Sequence, residues 1–408
     1  MTPPIEAKAR LLLLDSLGCI LAGLAHPALG RLAQALATPF PGTLMLPGQA
    51  VPLGPAGLAA LTAAAMCWDE ACEGLAEAHG RPALPVVPVV LALGGGGTLG
   101  AALEALVAGY EAGARAGLAW RIRPGMHVDG GWHALGAAVA AARLLGCDAH
   151  AAAAAAHHAA CQVPFSLYLP ITRGSSARNL YPAHAALLGL LAAAGQAAGI
   201  SAPPDALAEA RRLALGLDSV APDAANRALI LDAYVKPFAA VRHVHYGAAA
   251  ALALPVLAPE AITAIRLGTY AEARTYCGNR APQSAIAAQF SLSFGVAAAL
   301  VLRDLGPEAY AGFGDGTPHA GIQRLESMVS IETDPSLGGR GAVLHVTAAG
   351  TTHSARVESA AGDPAAPMTK AEVAEKFRRY AGPALGARTA AMIAALLHQP
   401  ATAPLPWP

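Results

Sequence analysis

Four polar islands interrupt an otherwise apolar chain of 408 residues, and each carries side chains that can move protons or bind anions. The first runs over residues 67–88 and holds Asp69, Glu70, Glu73, Glu77, His79 and Arg81. Only 13% of the chain is charged, so these groups are concentrated far above the background. A helix through this stretch would put Asp69 and Glu73, four apart, on one face, with Glu77 continuing the stripe. Gly80 and the prolines at 82, 85 and 88 would end that helix beside His79. Carboxylates and an imidazole at a helix end can act as proton donor and acceptor towards a substrate. The same pattern also describes a solvated helix face leading into a surface loop.

The second island, residues 121–131, gathers Arg121, Arg123, His127 and Asp129 between glycines and a proline. The third, 171–184, contains Gly174, Ser175 and Ser176 followed by Arg178 and Tyr181. Backbone N–H groups at a helix start, together with a guanidinium, can grip a carboxylate, although an ordinary capped helix start accounts for the same residues. The fourth, 236–246, carries Lys236, Arg242, His243 and His245. On a strand His243 and His245 would share a face, and two histidines so spaced can ligate a metal. No third ligand follows at a characteristic interval, so the expectation is that no metal is bound.

Formal net charge is zero and the isoelectric point is about 7.2. There is no basic field for nucleic acid and no polybasic strip for an anionic membrane surface. Cys19, Cys67, Cys72, Cys147, Cys161 and Cys277 are scattered without a CxxC pair. That argues against a disulfide framework and a thiolate zinc site, and for a reducing, cytoplasmic setting. Lys8 and Arg10 ahead of an apolar run imitate a secretory signal, but Asp15 lies inside the run. Leu11, Leu14, Leu17, Cys19 and Leu21 can share a buried face, which makes this a core helix. The alanine runs elsewhere are broken by polar residues, glycine or proline and do not read as membrane spans. Gly94 to Gly97 lacks the lysine and hydroxyl residue of a phosphate loop.

The elements that must position the islands are mostly helices. Residues 27–57 read as loop plus a short helix; 58–68, 86–93, 98–120, 132–145 and 149–161 read as helices, with no period-two alternation among them. Beyond Pro255, residues 261–277 alternate as a strand, 284–302 are helical, and 328–333 with 342–358 read as a β-hairpin across 335–341. Helices follow at 368–380, with Thr369 as cap, and at 388–397. The expected architecture is mainly α: a large all-helical domain built from both chain ends, residues 1–235 and 365–408, with a smaller α+β lid domain, 236–364, inserted between them. A groove between the two is the natural site.

Read in order, residues 8–18, the Trp68-Asp69 stretch to Pro88, residues 107–112, Gly125-Met126-His127 before a glycine-rich helix, Lys236 through Arg242 to His245, residues 289–292 and Gly362-Asp363-Pro364 resemble the MmgE/PrpD family. That family includes 2-methylcitrate dehydratase, cis-aconitate decarboxylase and iminodisuccinate epimerase. The resemblance spans nearly the whole chain. It implies a homodimer that acts on a small di- or tricarboxylate without a metal or organic cofactor. Carried over by position, Asp69, His79, His127 and His245 match its catalytic residues, and Glu73, Arg178, Tyr181, Lys236 and Arg242 fall where substrate is bound.

Two departures matter. Ala71, Cys72 and Glu73 replace the Asp-Asp-Thr usual in the dehydratase and decarboxylase, and Glu73 would repel a substrate carboxylate set against it. Arg178 is the nearest match to a family lysine; arginine does not give up a proton at neutral pH but can clamp a carboxylate. The expectation is family chemistry on a substrate other than 2-methylcitrate or cis-aconitate. Removing a proton beside a carboxylate builds enediolate charge, which arginines can stabilise while histidines exchange protons. Elimination, decarboxylation, epimerisation and cyclisation share that intermediate, so a lyase is expected with an isomerase as runner-up. A silent, ligand-binding family member is the alternative from another class.

Overall fold

The computed structural model describes residues 1–163, 165–217, 227–315 and 319–407. The apolar N-terminal run is the core helix Pro3–Leu24, buried on almost every side from Ala9 onward. Against it lie Pro55–Trp68 and, from the far end of the sequence, Lys370–Leu385. The chain ends are tied by buried polar contacts. Lys376 Nζ donates to Asp15 Oδ1 at 2.5 Å and to the Ala71 carbonyl at 2.7 Å, while Arg10 reaches the Leu396 and Gln399 carbonyls at 2.8 and 3.0 Å. Asp15 is therefore the counter-ion of a C-terminal lysine. No single helix among the described residues is long and apolar enough to cross a membrane.

The rest of the helical body is Ala83–Leu93, Leu99–Ala119, His133–Leu144, Ala149–Ala160 and Tyr181–Ala197, with Pro27–Ala37 beside Pro55–Trp68. Small residues set its spacing: a Cβ on Gly136 would lie 2.5 Å from the Gly109 carbonyl, so Leu99–Ala119 and His133–Leu144 cross backbone to backbone. Thr98 and Asp148 cap their helices by accepting from Ala101 and Ala151, and Thr369 forms a reciprocal capping box with Glu372. Two two-residue strands, β1 (Met126–His127) and β2 (Ser166–Leu167), pair antiparallel and clip the second island to the segment after Ala149–Ala160.

The inserted region is mixed. Strands β3 (Ile262–Thr269), β4 (Val329–Thr333), β5 (Ala342–Ala348) and β6 (Thr351–Val357) form one sheet in the order β4-β3-β5-β6. β5 buries Ala342, Leu344, Val346 and Ala348, and the helix Arg242–Ala253 packs against it. Five details depart from the sequence expectation. The strand stops at Thr269 and residues Ala271–Cys277 are helical. Residues 284–302 split into Ala285–Gln289 and Leu292–Leu302. β4 runs parallel to β3, Ile265 facing Val329, and is not half of a hairpin. The hairpin is β5 with β6, turning at Ala349 and Gly350, both left-handed. His243 and His245 lie on a helix, where residues two apart point in different directions.

Candidate active site

The helix that was to carry an acidic stripe ends at Trp68. Beyond it Glu70 and His79 both adopt left-handed backbone, φ 54° and 53°. Conformations of this kind cost on the order of 1–3 kcal/mol and gather at functional sites. The turn at Glu70 sends neighbouring carboxylates apart. Asp69 does not line the interior cavity, and its Oδ1 lies 2.9 Å from His26 Nε2. Glu73 is fully buried, accepting from the Ala83 N–H at 2.8 Å and facing the Tyr110 hydroxyl at 3.4 Å, so it caps Ala83–Leu93. It is therefore placed to brace a helix and does not oppose a ligand.

Burial pushes the Glu73 carboxyl up to about 8 from an ordinary 4.5. The unfolded chain releases this proton near 4.5 while the folded chain keeps it to about 8. Glu73 thus contributes stability fully below pH 4.5, and loses it as pH rises through that window. Glu73→Gln keeps the acceptor for Ala83 without the ionisation. Urea melts should show the wild-type chain losing stability from pH 5 to 8 more steeply than the variant; equal slopes would refute the buried, protonated state.

Glu70 takes the centre that Asp69 was expected to hold. Its carboxylate meets Arg81 Nη1 at 3.0 Å, Lys236 Nζ at 2.9 Å, and Arg178. Asp129 pairs with Arg81 and lies 3.6 Å from Arg178. All five side chains are buried, and the set carries one more cation than anion. Burial alone would raise the Glu70 carboxyl, but Arg178, Arg81 and Lys236 outweigh it and hold it well below the ordinary range. Burial lowers Lys236, with Glu70 opposing that shift.

Glu70, Arg81, Asp129 and Lys236 of this network line a cavity of about 320 Å³ between the helical body and the α/β region. Five cations and three carboxylates line it, with His79, His127 and His243. His127 Nδ1 accepts the Asp129 N–H at 3.1 Å, which leaves the neutral ring's proton on Nε2. Burial pushes its pKa down to about 4. His243 Nδ1 lies 2.5 Å from the Tyr270 hydroxyl, and burial pushes this ring down to about 3. The two imidazoles are joined by an aromatic wall: His127 on Tyr168 at 5.8 Å, Tyr168 to Tyr276 at 5.5 Å, Tyr276 on His243 at 6.0 Å. His79 is more exposed and is lowered by burial and then by Arg121.

Of the residues expected from the sequence, His79, His127, Lys236 and Arg242 line the cavity together. His245 sits behind it, fully buried, donating Nε2–H to the Ala240 carbonyl at 3.0 Å with Nδ1 3.1 Å from Arg242 Nη1. Arg178 also lies behind, its Nη atoms taken by Glu70, the Cys67 carbonyl and Asn179, its plane over Phe290 at 5.3 Å. Tyr181 donates to the Leu167 carbonyl at 2.9 Å, and its ring lies 6.0 Å from His127. Asp69 and Glu73 are the two expected residues that point elsewhere.

Glu70, Arg81, Asp129 and Arg340 are not among the expected site residues, and His243 figures in the sequence only as half of a histidine pair. Scarcity of charge signals the first three, which lie inside the polar islands; Arg340, between glycines in the 335–341 turn, gives no such signal. A larger cavity of about 820 Å³ lies along Leu99–Ala119 and Ala149–Ala160, but its few charged groups are spread among alanine, valine and leucine. Among the described residues no three histidine, cysteine or acidic side chains are grouped to hold a metal ion.

The family model described as the MmgE/PrpD N-terminal domain matches residues 1–221, and that described as the MmgE/PrpD C-terminal domain matches residues 238–399. No curated protein matches the chain. The two matches follow each other in order and take in nearly all of the sequence, including every residue of the cavity except Tyr234 and Lys236, which stand in the short gap between them. The chain therefore belongs to the MmgE/PrpD family, a family of lyases and isomerases.

Proposed function

We propose that this protein is a cofactor-independent lyase, of dehydratase or decarboxylase type, that builds enediolate charge beside a carboxylate of a small anionic substrate, by removing a proton in the first case and by releasing carbon dioxide and then protonating carbon in the second. The observation that carries this reading is the cavity's cationic excess beside imidazoles held neutral by burial. An anion is drawn in by the excess charge, and a low-dielectric wall strengthens each contact it makes. His127, with its proton on Nε2, is the donor to the enediolate oxygen, a task that needs a neutral imidazole. His243 donates Nδ1–H to the Tyr270 oxygen and takes the substrate proton on Nε2. Its basicity rises once a carboxylate binds nearby, because an adjacent anion favours the imidazolium. Lys236, lowered by burial, is the acid available to a departing hydroxyl. His245 acts through Arg242, and Arg178 through Glu70, as positioning residues.

The substrate differs from 2-methylcitrate and cis-aconitate, because the position of the family lysine is occupied by Arg178, tied to Glu70. An isomerase is the second reading, favoured by the placing of His127 and His243 at the two ends of the aromatic wall, where one can remove a proton and the other return it. The protein works as a homodimer in the cytoplasm. Exposed Phe165, Leu167, Leu169 and Leu180 suit a second subunit, and the described cysteines are all unpaired. A monomeric mass by light scattering would defeat the dimer.

The reaction is tested by incubating the full chain with hydroxy- and unsaturated polycarboxylates in deuterated water. Proton NMR should show deuterium entering beside a carboxylate of at least one of them. New alkene or released carbon dioxide marks a lyase; exchange with the skeleton kept marks an isomerase. No exchange with any of them would overturn the enzymatic reading and leave a ligand-binding protein.

A further inference from the structure

The cations around the cavity differ in what they have left to offer. Arg81 is engaged by Glu70, Asp129 and the sulfurs of Cys67 and Cys72 at 3.3 and 3.4 Å. Lys236 is held by the carboxylate and the carbonyl of Glu70. Arg242 is paired with Asp363 and directed at the Ala360 and Ala361 carbonyls, each at 3.3 Å. Arg121 donates to the Glu77 carbonyl. Arg340 alone among these five makes no hydrogen bond to any described residue. Its closest carboxylate, Glu272 Oε2, is 3.9 Å from Nη2, beyond hydrogen-bond distance.

A guanidinium whose side chain is only 28% exposed, with five donors and no acceptor, is a costly arrangement unless an anion completes it. The segment that carries it suits such a task. Gly338 and Gly339 precede Arg340, and a Cβ on either would meet nothing within 4 Å, so the backbone there is not wedged in place. Arg340 lies in the turn between β4 and β5 and lines the cavity from the α/β region, whereas Glu70, Arg81 and Asp129 line it from the helical body.

We propose that Arg340 binds a second, outer carboxylate of the substrate through its guanidinium fork and so determines which carboxylates are accepted, with Glu272 as the resting counter-ion that the substrate displaces. The reading rests on the assignment of this cavity to a carboxylate substrate. Two consequences of opposite sign follow. Removing the fork weakens binding of substrates with two or more carboxylates and leaves monocarboxylates little affected. Removing the competing charge at Glu272 strengthens binding of the same substrates. Arg340→Lys keeps the charge without the planar fork and falls between wild type and Arg340→Ala.

The test is calorimetric titration of the full chain with tricarballylate, succinate and butyrate. Wild type should prefer tricarballylate and succinate to butyrate. Arg340→Ala should weaken tricarballylate about tenfold to a hundredfold and abolish the preference, as loss of a charge-assisted bidentate pair does. Glu272→Gln should tighten tricarballylate a few-fold. If wild type binds and both variants bind equally well, the clamp is wrong while the carboxylate cavity stands. If wild type binds none of the three and no polycarboxylate exchanges deuterium, the cavity assignment falls and the clamp with it. Should Arg340→Ala melt early, Glu272→Gln decides alone: tightening supports the clamp, an unchanged affinity overturns it.

Discussion

Glu70→Ala is expected to lose about 3–5 kcal/mol of folding stability, because it leaves buried cations without their shared anion. Glu70 is the common partner of Arg81, Arg178 and Lys236, and in its absence only Asp129 remains among them. Arginine cannot shed its charge, but Lys236 can. Burial already lowers Lys236, and Glu70 is the first group opposing that shift, so its removal lowers the lysine further. Between that lowered value and the ordinary 10.5, the folded variant holds fewer protons than the unfolded chain. Its stability therefore rises with pH across the window and is lost as pH falls through it. Urea melts should show Glu70→Ala regaining stability in alkali more than wild type does. Adding Lys236→Met, which removes the surplus charge at similar length, should restore part of the loss at neutral pH. A single variant as stable as wild type would mean that the five groups are not a mutually dependent set.

The same network shows what could be read from the sequence and what could not. Scarcity of charge makes the islands visible, and the first, second and fourth supply most of the cavity wall. The helical body is legible because 99–119 and 133–144 carry long apolar faces, and the return of the C-terminal helices follows from the order of elements, helices on either side of a mixed α/β insert. Choosing Glu70 over Asp69 requires the left-handed turn at Glu70, whose carboxylate meets Arg178 and Lys236, both more than a hundred residues away. Parallel pairing of β3 with β4 joins Ile265 to Val329, and local alternation says nothing about a partner so distant. Apolar residues continue past Thr269, so local pattern alone extends the strand to 277, whereas Ala273 and Cys277 are the buried face of a short helix. Ala349-Gly350 was a signal that was present: a glycine between two alternating runs marks the hairpin turn.

His127→Phe is expected to lower turnover by about two to three orders of magnitude with a much smaller change in KM, as removal of one oxyanion donor does. Phenylalanine keeps an aromatic surface for Tyr168 and Tyr181 but has no Nε2–H to give. The readout is the rate of deuterium entry into whichever polycarboxylate the wild-type chain exchanges, followed beside a thermal melt, since the variant also loses the acceptor for the Asp129 N–H. The sign of the pH effect separates donor from base-pair partner. Burial sets His127 near 4, so the ring is neutral across the physiological range and becomes charged only as pH falls through that value. Protonating Nδ1 breaks its bond with the Asp129 N–H and turns the ring, so wild-type activity should fall on an acid limb near 4. That limb should vanish from the His127→Phe profile. His127→Asn, whose amide oxygen can accept from Asp129, should recover stability without recovering the rate. If Asn restores turnover in proportion to folded protein, His127 supports the loop and the oxyanion donor lies elsewhere.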